Sequence, residues 1–226
     1  MNSGMKKARI DFTGIYSLAD PFDGAPHLIL DCTELSGCTM YVDSEAEDAI
    51  RYKLSECPVE GIHFLDNGNY HYVTRFFLER IVSPFSLLVF DKHTDDQEPA
   101  FEGLRSCGSW IRDARADIDN LKEVMLVQGR DMISGALSAS LPVYVSIDLD
   151  VLSESELKVN WDQGELGLSE LCDILIKLLK DRDILGIDIC GGCLPGEDRF
   201  IEDNKRVFNE LYKVIENQIF REGQLL

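Results

Sequence analysis

The order of segments constrains this chain more than any single residue does. Short apolar runs of strand type fall at 8–16, 27–31, 61–65, 86–91, 124–128, 142–149 and 184–190, and stretches of helical period lie between several of them. Two of the runs, SLLVF and PVYVSI, are nearly unbroken in apolar residues, as strands covered on both faces should be. Leu168, Leu171, Cys172, Leu175, Leu178 and Leu179 share one helical face, with Ser169 the expected cap and Glu170 and Asp173 in the first turn. Residues 45–55, 70–81 and 198–217 read as further helices. Strands alternating with helices predict an α/β fold: three α/β/α layers around a mostly parallel sheet. No repeat, low-complexity tract or Pro/Gly/Ser linker divides the sequence, so residues 1–226 are expected to form one domain. Ligands of such folds bind beyond the carboxyl ends of the strands, so the residues just after each apolar run matter most.

Charge removes whole classes of function. Lys plus Arg number 22 against 41 Asp plus Glu, a formal charge of −19. A phosphate backbone or an anionic membrane surface needs the opposite sign, so neither nucleic acid nor membrane is expected as a partner. The longest apolar stretches, such as FSLLVF, are far short of a membrane span, and the opening MNSGMKKARIDF has no apolar core of a signal peptide. Seven cysteines, an odd number, suit a reducing cytoplasm better than a disulfide framework, and a cytoplasmic location is expected. Cys190 and Cys193 form a lone CGGC, which reads as loop cysteines, because Cys32 and Cys38 are wrongly spaced to complete a zinc site. A small-molecule substrate is the expected partner, with self-association into a homo-oligomer left open.

Two strand ends carry the same chemistry. SLLVF is followed by Asp91-Lys92-His93-Thr94-Asp95, and PVYVSI by Asp148-Leu149-Asp150. Residues two apart in extended chain point to the same side, so Asp91 and His93 project together, as do Asp148 and Asp150, with Asp95 in reach if the chain curls back. The Asp148-x-Asp150 pair alone reads better as loop carboxylates capping helices or facing solvent, and the Asp91-x-His93-x-Asp95 run reads equally well either way. Together they gather four carboxylates, which cannot share a partly dry site without compensating charge. Two divalent cations would supply +4 against that −4, and an Asp/His donor set suits Mn²⁺.

With these motifs in view, the sequence resembles the arginase, agmatinase and formiminoglutamase family, the ureohydrolases. That family carries three ordered metal motifs: Gly-Gly-Asp-His, Asp-Ala-His-x-Asp and Ser-x-Asp-x-Asp. The second resembles Asp91, His93 and Asp95; the third, Ser146-Ile147-Asp148-Leu149-Asp150; the first, more loosely, Gly68-Asn69-Tyr70-His71. The likeness runs over about residues 60–215. It implies an arginase-like fold and two Mn²⁺ per chain, one on His71, Asp91, Asp95 and Asp148, the other on His93, Asp91, Asp148 and Asp150. It further implies a metal-bound hydroxide that attacks the trigonal carbon of a guanidino, amidino or formimino compound and breaks a linear C–N bond, with Asp95 and, in the place of the family's loop histidine, Cys107 as the catalytic residues.

Two departures qualify what the resemblance implies. The family's proton-shuttling loop histidine is replaced by Cys107 in Ser106-Cys107-Gly108-Ser109-Trp110, and no histidine follows His93. A thiol of ordinary pKa is a poorer proton shuttle at neutral pH than an imidazole. The glutamate that holds the guanidinium in arginases is replaced by Gly191 in Asp188-Ile189-Cys190-Gly191, with Glu197 or Asp198 as candidate substitutes, though both read equally well as N-terminal acids of the last helix. Arginine is therefore not the expected substrate. The loop with Asp96, Glu98 and Glu102 would also repel an α-carboxylate unless Arg105 answers it. Cys107→His with Gly191→Glu is expected to raise any trace activity. The alternative reading is a non-catalytic member that keeps its metals to bind a small ligand; an amide deacetylase of the same fold ranks last. His27 and His63 read as core histidines, Trp110 as a packing residue, and Trp161 and Asp162 as candidates for the mouth of the site.

Overall fold

In the computed structural model, which describes residues 6–99, 101, 103–132 and 140–222, seven parallel strands form one sheet. They are β1 (Lys7–Asp11), β2 (Leu28–Asp31), β4 (Ile62–Phe64), β5 (Phe85–Phe90), β7 (Leu121–Val127), β8 (Val143–Asp148) and β9 (Ile184–Cys190), ordered β2-β1-β4-β9-β8-β5-β7. Each coincides with one of the seven apolar runs. The remaining strands, β3 (Tyr41–Val42) and β6 (Arg105–Ser106), make a small antiparallel pair outside the sheet.

Alternation along the buried strands separates two cores. Leu88 and Phe90 of β5 face the layer of α4 (Leu168–Asp181) and α5 (Ile201–Glu222), whereas Phe85, Leu87 and Val89 face α1 (Ser44–Leu54), α2 (Val73–Leu78) and α3 (Trp110–Asp117). This is the three-layer α/β/α arrangement read from the alternation of segments. The leucine stripe of α4 is buried as its spacing requires.

Local hydrogen bonding moves several boundaries. The first strand stops at Asp11, well before 16, because the Asp66 carboxylate accepts from the Phe12 and Thr13 N–H groups at 2.8 Å each. Gly14, at φ 79°, then turns the chain into a short 3₁₀ turn. The segment expected as a helix over 70–81 is a 3₁₀ turn at Gly68–Tyr70 followed by the short α2. Helix α4 starts one residue ahead of Ser169: Gly167 is its cap, and the Glu170 carboxylate accepts the Gly167 N–H at 2.9 Å. Among the described residues no helix is long and apolar enough to cross a membrane.

Candidate metal centre

The centre sits where β4, β5 and β8 end. Asp91 follows β5 and Asp148 closes β8 on a neighbouring strand. Beyond β4, the Gly68–Tyr70 turn delivers His71 into the same crevice. Asp95 comes back through a residue at φ 45°, and its carbonyl accepts from Ile111 in the first turn of α3. Asp150 joins by a different route from simple strand alternation. The Asp148 carboxylate caps a 3₁₀ turn over Leu149–Val151 and accepts the Asp150 N–H at 3.0 Å. The four carboxylates are all buried: Asp91 and Asp150 are 1% exposed, Asp148 3% and Asp95 6%.

His71 is the hub. Its Nδ1 lies 3.2 Å from an oxygen of Asp91, 3.2 Å from one of Asp95 and 3.3 Å from one of Asp148, yet makes no hydrogen bond; neither does Asp91 Oδ2. The opposite ring nitrogen, Nε2, is 2.9 Å from Ser146 Oγ, and that hydroxyl donates to Asp188 Oδ1 at 2.6 Å. Because the Ser146 proton is committed to Asp188, its oxygen is left to accept from His71 Nε2–H. The neutral ring then carries its lone pair on Nδ1, facing the three carboxylates. Trp110 braces the same group: its ring packs on His71 at 4.8 Å and its Nε1–H donates to Asp95 Oδ2 at 2.7 Å.

A second set lies nearer solvent. His93 Nδ1 is 2.7 Å from Asp150 Oδ2 and 3.7 Å from Asp91 Oδ1, which also accepts the His93 N–H at 2.6 Å. Lys92 N–H fixes the other Asp150 oxygen at 2.8 Å. His71, Asp91 and Asp148 form one group of converging donor atoms able to hold a metal ion, and Asp91, His93 and Asp150 form another.

The electrostatics of the group suit a cation. Burial first, then the neighbouring Asp95 charge, pushes the Asp91 carboxyl well above its usual range; burial and Asp150 push Asp148 up to about 7. Burial works against a charged His71, but the surrounding Asp91, Asp95 and Asp148 carboxylates outweigh it and raise the imidazole. The unpartnered His71 Nδ1 and Asp91 Oδ2, in an all-oxygen and imidazole donor set, fit a divalent ion of the Mn²⁺ kind.

The cleft above these groups has a volume of about 120 Å³, and Met40, Tyr41, Cys107 and Trp161 help to wall it. Cys107 is therefore at the cleft, but burial and the Asp95 charge push its thiol up to about 12, so it stays protonated at neutral pH. Trp161 does line the mouth, set edge-on to His93 at 6.0 Å, while the exposed Asp162 does not. Trp110 is wholly buried. His63 is also buried in the core, pushed down to about 3 by burial and stacked on Phe77, and His27 packs on Phe22. Cys190 and Cys193 are buried free thiols.

Gly191 has a backbone role that sequence spacing does not reveal. It sits at φ 96°, and a Cβ there would lie 2.7 Å from Asp148 Oδ1 and 2.9 Å from Leu149 N. A Gly191→Glu change would thus drive against Asp148, and the restoration expected from it is overturned. Glu197 accepts from Leu194 N–H at 2.8 Å, closing its own loop, and neither it nor Asp198 lines the cleft. Arg105 is engaged by Glu47 at 2.8 Å and Asp117 at 3.4 Å; Glu102 lies outside the described residues.

Sequence reasoning read Trp110 as packing without its hydrogen bond to Asp95, quoted Ser146 and Asp188 without a bracing role, and did not consider the wall residues Met40 and Tyr41. A signal existed for two of them: Ser146 and Asp188 interrupt strands that are otherwise apolar and fully buried. A polar side chain in such a place must have a partner.

No family model matches the sequence. An uncharacterised protein of Thermotoga maritima is 34% identical over 161 residues, which span 65% of this chain and 64% of the relative. The match thus covers less than two thirds of that relative's length. Among solved structures, the chain is similar to formimidoylglutamase from Bacillus subtilis, with TM-score 0.63, 12% identity and coverage of 97% of this chain and 89% of that one. It is also similar to a Trypanosoma cruzi formiminoglutamase variant solved with Mn²⁺, with TM-score 0.65, 12% identity and coverage of 96% and 94%. A putative agmatinase from Clostridium difficile gives TM-score 0.63, 17% identity and coverage of 96% and 98%. The fold is that of the arginases and related ureohydrolases.

Proposed function

We propose that this chain is a ureohydrolase in activity as well as in fold: a hydrolase, dependent on two Mn²⁺ ions, that breaks a linear C–N bond in a guanidino, amidino or formimino compound other than arginine. The observation that carries the reading is His71, its Nε2 tied through Ser146 to Asp188 and its Nδ1 aimed, unpartnered, at three buried carboxylates. His71, Asp91, Asp95 and Asp148 would hold one ion; His93, Asp91, Asp148 and Asp150 would hold the other. When bound, the two cations balance the four carboxylates and lower the pKa of water so that a nucleophile exists near neutral pH.

The chain's own groups divide the remaining work. Asp91 lies beside both His71 and His93, while Asp148 lies beside His71 and accepts the Asp150 N–H, so these two would be the ligands shared between the ions. Trp110 engages Asp95 Oδ2 and so leaves Oδ1 to take a proton from the attacking water and return it to the leaving amine. A guanidino substrate and one water would give urea and an amine. Cys107 belongs in the wall, since a thiol pushed up to about 12 does not exchange protons readily at neutral pH.

The same thiol, standing where the family has histidine, favours a second reading: a non-catalytic member that binds a small ligand over its metals. Metal analysis of protein purified with Mn²⁺ should give close to two ions per chain. Release of urea, ammonia or formamide from a panel of guanidino, amidino and formimino compounds then separates the two readings. Full metal occupancy with silence across the panel selects the non-catalytic one; absence of metal removes both.

A further inference from the structure

Beneath the centre, a row of polar side chains crosses the sheet where apolar ones are expected. His63 of β4, Asp188 of β9 and Ser146 of β8 are register partners on adjacent strands, and Tyr144 lies two residues before Ser146 on the same face. All four are fully buried. Helix α2 covers them: Phe77 stacks on the His63 ring at 4.2 Å, and the Thr74 hydroxyl is 3.3 Å from Ser146 Oγ. One end of the row reaches His71 through Ser146, and at the other Tyr144 Oη lies 3.5 Å from His63 Nδ1. Two atoms stand out, because neither Asp188 Oδ2 nor His63 Nε2 makes a hydrogen bond. Polar groups so deeply buried are normally partnered, so the row calls for a reason.

The charges decide where the protons lie. Burial pushes Asp188 up to about 6, so it is an anion at neutral pH, and the Ser146 hydroxyl serves one of its oxygens. The Tyr144 hydroxyl stands beside the same carboxyl; burial and the Asp188 charge hold it well above its usual range, so it keeps its proton. A carboxylate is a stronger acceptor than a neutral imidazole, and a phenol hydrogen rotates freely, so the one Tyr144 proton belongs to Asp188. Its oxygen then accepts from His63 Nδ1–H, on a ring kept neutral because burial pushes it down to about 3. Building on the metal-centre reading, we propose that Tyr144 is a positioning residue for His71: backed by His63, it supplies the second donor to Asp188, which holds Ser146, which holds His71 with Nδ1 free for the inner ion. Each proton along the row points toward Asp188, His71 and Ser146 from one side and His63 and Tyr144 from the other. Without the Tyr144 proton, one oxygen of a buried anion is left bare, and the grip of Ser146 on His71 loosens.

Nitrogen and proton NMR of the histidine rings, of which the chain has four, reads the row without any metal. In metal-free protein His63 should be neutral with its proton on Nδ1. Tyr144→Phe keeps the ring against Phe77 and should move that proton to Nε2, beside the Pro58 carbonyl. Mn²⁺ titration reads the consequence at the centre. Tyr144→Phe should weaken one of two ions about 3- to 10-fold, less than removal of Ser146 itself, and leave the other unchanged. His63→Leu should reproduce that loss, and His63→Asn, whose amide nitrogen takes the place of Nδ1, should restore most of the affinity. A wild-type His63 proton on Nε2 would overturn the inference, as would Mn²⁺ affinities that Tyr144→Phe leaves unchanged or weakens equally. Protein with the expected His63 tautomer that binds no Mn²⁺ would count against the metal reading alone and leave the bracing of His71 standing.

Discussion

The two halves of the centre share Asp91 yet are built differently. The inner half, around His71, is sealed and braced: Ser146 and Asp188 hold one edge of the imidazole, Trp110 packs on its face and also holds Asp95. The outer half, around His93, is open. That side chain is 32% exposed, and its ring contacts are Asp150, Asp91 and the edge of Trp161. A braced half supplies fixed geometry at the cost of buried charge, whereas an open half can adjust and admits a ligand. The difference teaches that preorganisation here resides in the neighbours of the candidate ligand residues more than in those residues themselves.

The largest effect should come from Asp148, which the proposed metal sets share along with Asp91. Asp148→Ala removes an oxygen beside His71 and the acceptor of the Asp150 N–H. Mn²⁺ content should fall close to zero, and the thermal stabilisation by Mn²⁺ should vanish. Retention of one tightly held ion would break the claim that Asp148 serves both halves.

Gly191→Ala comes next. The added Cβ meets Asp148 Oδ1 and Leu149 N at a φ that disfavours side chains, so a stability loss of about 1–3 kcal/mol is expected in chemical denaturation. Mn²⁺ affinity should fall with it. Unchanged stability would mean that the loop relaxes freely and that Gly191 does not support Asp148.

Ser146→Ala sharpens the comparison directly. It removes the His71 brace and touches nothing around His93. One of two Mn²⁺ affinities should weaken by about 10- to 100-fold while the other holds. Equal loss at both would erase the distinction between halves. Trp110→Phe keeps the ring packing and deletes only the N–H to Asp95, so its effect should be smaller, about 0.5–1.4 kcal/mol or at most tenfold, and again confined to the inner ion.

The smallest effect is a slope with pH. In metal-free protein, burial raises Asp66 and Asp188 to about 6 and Asp148 to about 7, above the usual carboxyl value of 3.8. A carboxyl whose pKa is raised by folding contributes stability that is complete below its unfolded pKa and is lost as pH rises through its folded pKa. Melting temperature without metal should therefore drop between about pH 4 and 7. Saturating Mn²⁺ should flatten or reverse that slope near neutrality, because the ion competes with protons for the same oxygens. A metal-free protein that gains stability across this window would contradict the burial of these groups.

Much of the molecule was legible in the sequence because it follows from local periodicity. Seven apolar runs became the seven strands of the sheet, and the leucine stripe at 168–179 became the inner face of α4, since burial on a strand or helix imposes its own spacing. Asp91, His93, Asp95, Asp148 and Asp150 could be named from strand ends, and His71 only from the resemblance to the ureohydrolase motifs; the fold brings all six to one crevice. Boundaries such as Asp11 were not legible, because they depend on a side chain 55 positions away taking backbone N–H groups.

What only tertiary structure decided is which atoms face which. The sequence cannot say that Nδ1 of His71, not Nε2, meets the carboxylates; that follows from Ser146 lying beside Asp188 across β8 and β9. Nor can it say that Cys107 stays protonated, that Arg105 is already paired, or that Gly191 is a clearance for Asp148, since each depends on neighbours remote in sequence. Pattern and residue type pointed to the layers and to most of the candidate ligand residues, because they obey short-range rules. Protonation, pairing and clearance were decided by packing, because charge and volume act through space regardless of chain order.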